Sequence, residues 1–249
     1  MLLHLCTWPE VEAYLTRSCG IIFPIGSTEQ HGPTGLIGTD AICAEAVARG
    51  VGEATDALVG PTINVGMALH HLAFPGSISL RPSTLIALVQ DYIKPLARNG
   101  FERFYFINGH GGNNASMKAA FSETYAALID ANLPNADKIR CKLANWYQGK
   151  GVKNLADELY GQQEGSHATP SEVALTQFVY SDYIKQAQLT PQVAPKGRSI
   201  YNPIDFRAFY TDGRMGSNPD LATPEHGQRF YNISVEEMSA GYRAFLQET

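Results

Sequence analysis

Glu29 and His31 stand two residues apart in Gly26-Ser27-Thr28-Glu29-Gln30-His31-Gly32. In an extended segment that spacing points both side chains to one side of the chain. A carboxylate beside an imidazole suits zinc, manganese or iron. Asp40, in Gly38-Thr39-Asp40, adds a second carboxylate, of the kind that can bridge two metals. His110 lies between glycines in Asn108-Gly109-His110-Gly111-Gly112-Asn113-Asn114, and glycines let a backbone approach a site closely. A third cluster is Glu164-Gly165-Ser166-His167-Ala168, with Glu172 close behind.

Each residue also has a plain structural reading. Asp40 suits the positive end of a helix beginning there. Glu172 stands three after Thr169, with Pro170 first in the helix, which is a capping-box arrangement. His110 could be a hydrogen-bonded loop histidine, and the pair His70-His71 reads as core-edge histidines. What favours a metal site is convergence, because the three clusters fall at expected ends of strands in one sheet, where parallel α/β sheets bind ligands.

The elements that must position them alternate. Gly20–Ile25 is a short apolar run that reads as a buried strand. Residues 40–54 carry Ile42, Ala46, Val47 and Val51 at helical spacing, and residues 57–65 read as a second strand with its following loop. Residues 83–99 form a strong helical pattern closed by Gly100. Phe104–Ile107 reads as a central strand, residues 113–132 as a helix and 139–146 as a strand. Thr169 opens a helix to about Tyr180, and Ser234-Val235-Glu236-Glu237 reads as the capping box of the last helix. Residues 189–232, rich in Pro, Gly, Asn and Asp, read as a long ordered loop covering the site. Strands alternating with helices imply a parallel sheet with right-handed crossovers.

Composition narrows the function classes. The chain has 249 residues, 44% apolar and 17% charged, enough for a single domain over residues 1–249 with a well-buried core. Net charge is -5 with no concentrated basic patch, so no nucleic-acid partner is expected. No apolar run approaches the roughly 20 residues that span a bilayer, so no membrane partner is expected. The first residues lack the basic flank of a signal peptide, and the four cysteines are scattered without a CxxC pair. A reducing cytoplasm is the simplest location. There is no phosphate-binding loop and no GxSxG elbow. Ser27 has no partner spacing that makes it a nucleophile, and Cys43 falls inside a helix.

The residues resemble the creatininase (creatinine amidohydrolase) family. The resemblance rests on Pro24-Ile25-Gly26-Ser27-Thr28-Glu29-Gln30-His31-Gly32-Pro33 with Gly38-Thr39-Asp40, on His71-Leu72-Ala73-Phe74-Pro75-Gly76-Ser77-Ile78, on Asn108 to Asn113, and on His167-Ala168 with Glu172. Weaker echoes lie between Gly213 and Gly227. The resemblance implies a three-layer α/β/α sandwich with a mostly parallel central sheet. It also implies two divalent metal ions (zinc, manganese or iron), hydrolysis of C–N bonds in small molecules, and homo-oligomers, often hexamers. Carried over by position, Glu29 and His110 would bind one metal, His31 the other, and Asp40 both. Creatininases place a glutamate ligand where this chain has Gly112, an aromatic pocket residue at Gly111 and a substrate-contacting serine at Ala68. Glu172 is the expected substitute ligand, and creatinine is not the expected substrate. His71, Gly111 and Gly112 are expected to face the substrate, and His167 to move the proton to the leaving nitrogen. A metal-dependent lyase, isomerase, or lactone or C–C hydrolase on sugar-like substrates stays open, as does a non-catalytic member of the fold.

Overall fold

The chain runs α1 (Trp8–Leu15), β1 (Gly20–Ile25), α2 (Thr39–Thr55), β2 (Leu58–Val59), α3 (Pro82–Arg98), β3 (Arg103–Asn108), α4 (Asn113–Asp130), β4 (Arg140–Asn145), α5 (Lys150–Leu159), α6 (Pro170–Val179), α7 (Pro203–Phe209) and α8 (Pro224–Leu246) in a computed structural model. The structure describes residues 1–248, and residue 249 lies outside the described residues. The four strands form one parallel sheet in the order β2-β1-β3-β4. β1 is buried at all six positions, as an apolar run covered on both faces must be.

Alternation along the strands sorts the core into two layers. Ile22, Tyr105 and Ile107 face one side and pack with Val47, Val51, Phe230 and Tyr242 of α2 and α8. Ile21, Phe23, Ile25, Phe104 and Phe106 face the other and pack with Leu85, Val89, Ile93, Met117 and Phe121 of α3 and α4. Helices therefore cover both faces, which is the three-layer α/β/α sandwich expected. In α3 the buried positions Leu85, Val89, Ile93 and Ala97 recur every fourth residue, which presents one stripe to the sheet.

Two expectations are corrected. The last helix does not begin at Ser234. It begins ten residues earlier, at Pro224, where Thr223 accepts a hydrogen bond from His226 N–H at 3.2 Å and proline occupies the first turn. Phe230, Ser234, Met238, Tyr242 and Phe245 then form one buried face. Gly227 does not break this helix. It lies where a Cβ would come within 2.0 Å of Ala174 O, so it lets α8 close on α6. The stretch 189–232 is accordingly not one loop, since it holds α7 and the start of α8. Its remainder does cover the site: Met215 N donates to His167 O at 3.2 Å, and Ser166 N to Met215 O at 2.8 Å. The helices α1 and α5 have no counterpart in the sequence reading. Among the described residues no helix is long and apolar enough to cross a membrane.

The position of the α8 start is testable by chemical denaturation. Thr223→Ala should lose about 1 kcal/mol of stability through the lost cap. Ser234→Ala should lose nothing or gain slightly, because Ser234 Oγ is buried without a partner. The reverse ranking would restore the later start.

Candidate metal centre

The carboxyl ends of β1 and β3 are neighbours, with Ile25 paired to Asn108. The loop after β1 carries Glu29 and His31 and returns as α2, whose second residue is Asp40. The loop after β3 carries His110 and enters α4. Two glycines let these turns meet: a Cβ on Gly109 would lie 2.1 Å from Asp40 O, and one on Gly26 would lie 2.3 Å from Ala41 N. From the other side α6 brings Glu172 in its first turn, with His167 just ahead of it.

Asp40 sits at the centre. Its Oδ2 is 3.1 Å from His110 Nδ1, and its Oδ1 is 3.2 Å from His31 Nε2. Glu29 Oε1 is 3.2 Å from His110 Nδ1, and Glu172 Oε1 is 4.0 Å from His31 Nε2. Two donor groups result, Glu29-Asp40-His110 and His31-Asp40-Glu172, each with its donor atoms within 4.8 Å of one another. A third group, Glu29-His31-His167, meets the same distance. All five residues expected as ligands are thus brought together, and Asp40 belongs to both of the first two groups. Glu172 also keeps its structural role: its Oε1 accepts Thr169 N–H at 2.6 Å, completing the capping box. The two readings of Glu172 are compatible, because the cap aims the carboxylate at the cluster.

The cluster fits divalent cations. Both carboxylate oxygens of Glu29 and Asp40 Oδ2 are buried without a hydrogen-bond partner, which is costly unless a cation takes the place of water. The histidines present the right nitrogen. His31 Nδ1 is anchored on Glu29 O at 3.0 Å, leaving Nε2 inward, and His110 Nε2 on Met67 O at 3.0 Å, leaving Nδ1 inward. A backbone carbonyl on the far nitrogen is how metal-binding imidazoles are oriented. Three carboxylates would nearly neutralise two divalent ions in this buried setting.

The charges are strongly coupled. Burial works to deprotonate His31, but Asp40, Glu172 and Glu29 outweigh it and hold it at about 10. Burial likewise opposes the carboxylates Glu29 and Asp40 at His110, which stands at about 9. Burial works to raise Asp40, yet His31 and His110 hold it well below the carboxylate range. Burial raises Glu29, and lifts Glu172 to about 7 against the pull of His31. His71 and His167 are driven down by burial and then by neighbouring imidazoles, so both are neutral.

Asp40, His110 and Glu172 of the cluster line a cavity of about 660 Å³, within the range of small-molecule sites. His71, Gly111, Gly112 and His167 line it, as does Glu164, whose carboxyl burial raises to about 7. His71 makes a second contact that spacing did not suggest: its Nε2 lies 3.1 Å from Glu29 Oε1. Gln30, which the sequence reading left without a role, touches both His71 and His167. The only hint was its place between two candidate ligands.

Residues 4–241 match the Creatininase family model, described as creatinine amidohydrolase. The chain is 37% identical over 246 residues to the creatinine amidohydrolase of Pseudomonas putida, covering 95% of this chain and 94% of that one. It is 30% identical over 220 residues to the mycofactocin precursor peptide peptidase of Mycolicibacterium smegmatis, covering 85% and 79%. A solved structure described as "Creatininase Mn" superposes with a TM-score of 0.83 at 24% identity, covering 99% of both chains.

The protonation of the cluster predicts how metal uptake depends on pH. His31 and His110, raised to about 10 and about 9, are charged at pH 7 in metal-free protein, and an ion must displace their protons. Calorimetric titration with zinc at pH 7, in buffers of differing ionisation enthalpy, should show at least two protons released per chain, two from the histidines and a further fraction from Glu172. Affinity should rise with pH until about 9 to 10. Heats independent of the buffer would contradict this protonation.

Proposed function

The chain belongs to the creatininase family, and on that footing we propose that it is a metal-dependent amidohydrolase cleaving a C–N bond in an amide larger than creatinine. The observation that carries the reading is the pair of donor groups sharing Asp40, which reach the cavity through Asp40, His110 and Glu172. Glu29 and His110 would hold one ion and His31 and Glu172 the other, with Asp40 between them. Gly112 cannot supply the ligand that creatininases carry there, since a Cβ would lie 2.3 Å from His110 Nε2 and 2.5 Å from Met67 O. A Cβ on Gly111 meets only Tyr147 Oη, at 3.4 Å, so the space of the missing aromatic is open to substrate.

Divalent metals held here would lower the pKa of a water toward about 7 and polarise a substrate carbonyl. The chain's own groups supply the rest. His167 is neutral, with Nε2 2.8 Å from Gln30 O and Nδ1 facing the cluster 3.8 Å from Glu29 Oε1. It enters as a proton acceptor for the attacking water and hands that proton to the leaving nitrogen. The backbone N–H groups of Gly111 and Gly112 have no acceptor among the described residues. They precede α4 at its positive end and suit an oxyanion formed on the substrate carbonyl.

The test is turnover by protein loaded with zinc or with manganese. Its panel holds cyclic amides, formamides and short peptides, the last because one matched relative is named a peptidase. Release of amine, ammonia or formate is expected, with creatinine a poor substrate. Turnover of lactones or C–C bonds alone would overturn the assignment. His167→Ala should lower kcat by about 10²- to 10⁴-fold with metal content unchanged. Loss of an ion in that variant would instead make His167 a ligand, through the Glu29-His31-His167 group. Asp40→Ala should lose most of the bound metal by elemental analysis.

A further inference from the structure

We propose that the side-chain amide of Gln30 is a positioning group that sets the tautomer of His71, placing its proton on Nε2 and leaving Nδ1 bare, while the backbone carbonyl of the same residue keeps the Nε2 of His167 protonated. The orientation of the amide is fixed by two backbone groups with no freedom of role. Gly32 N–H can only donate, and it meets Gln30 Oε1 at 2.9 Å. Gly213 O can only accept, and it meets Gln30 Nε2 at 3.0 Å. A turned amide would set donor against donor and acceptor against acceptor.

One N–H of Gln30 Nε2 is therefore committed to Gly213 O, and one remains. Two ring nitrogens are in reach, His71 Nδ1 at 2.8 Å and His167 Nε2 at 2.9 Å. His167 Nε2 also lies 2.8 Å from Gln30 O, which only accepts, so that nitrogen carries a proton and cannot receive another. The free N–H of Gln30 goes to His71 Nδ1, which must be bare. The proton of His71 then sits on Nε2, which lies 3.1 Å from the buried Glu29 Oε1, an oxygen that His110 Nδ1 also approaches at 3.2 Å. The Nδ1 of His167 faces the cluster, 3.8 Å from Glu29 Oε1. One residue thus fixes both rings, the side-chain amide turning the N–H of His71 toward Glu29 and the backbone carbonyl holding the N–H of His167. The catalytic use of that pair rests on the amidohydrolase reading, whereas the tautomers do not.

The experiment is long-range ¹H–¹⁵N correlation on zinc-loaded and metal-free protein with ¹⁵N-labelled histidine. The rings are assigned from the signals lost in His71→Asn and His167→Asn. Both rings should show a protonated Nε2, and His71 a bare Nδ1. Gln30→Glu puts an acceptor where the donor stood, so His71 Nδ1 should gain a proton in that variant. Its kcat should fall by about 10- to 100-fold, as for groups that orient ligands, with KM little changed. A protonated Nδ1 on His71 or a bare Nε2 on His167 in the parent protein overturns the proposal, and so does an unchanged His71 in folded Gln30→Glu. The parent spectrum decides even if the variant does not fold. Neither spectrum needs a substrate, so a wrong substrate class would leave the tautomer result standing.

Discussion

Asp40 is a carboxylate almost wholly buried between two imidazoles, and the rest of the site is arranged around that fact. A buried carboxylate is tolerable only when its charge is met on every side. Here His31 meets one oxygen, His110 the other, and the first turn of α2 supplies the positive end of a helix. Because its two oxygens face different histidines, Asp40 divides the surrounding donors into two sets that share it. The glycines at 26 and 109 follow from the same constraint, since either with a Cβ would push its loop off the start of α2.

The order of the strands makes this burial possible. β1 and β3 lie side by side although α2, β2 and α3 come between them in the chain, and both end on the same edge because they are parallel. Their following loops leave toward the same space, and α6 closes it from the opposite side. The segment carrying Met215 then pairs with the backbone at His167, while Arg214 is buried against Asp212 and the carbonyls of Pro191, Gln192 and Ser217. The wall over the histidines is held by backbone bonds and one buried cation rather than by apolar packing alone.

A common device recurs in the histidines. Each of His31, His110 and His167 rests one ring nitrogen on a backbone carbonyl, those of Glu29, Met67 and Gln30, and turns the other inward. Backbone carbonyls only accept, so they keep the proton on the outer nitrogen without a further titrating group. His71 is the exception, since it leans on the Gln30 amide, and that amide is itself pinned by two backbone groups.

Residue type and spacing by themselves singled out Glu29, His31, Asp40 and His110 as candidates that the fold brings together, and gave the parallel α/β class and the boundaries of α2, α3 and β1 to within a residue or two. These are local properties: period-two and period-3.6 patterns, and polar groups at strand ends. They did not determine where α8 begins, because Ser234-Val235-Glu236-Glu237 reads as a capping box, whereas Thr223 caps the helix and Gly227 lets it close on α6. Nor could they decide between cap and cluster for Glu172, which does both once α6 is docked. The partnership of Gln30 with residues 41 and 137 positions away, and of His71 with Glu29, exists only after the β1 loop, the His71 turn and the α6 approach have been packed together. Tautomers and buried charge depend on what surrounds a ring in space, and tertiary structure alone supplies that.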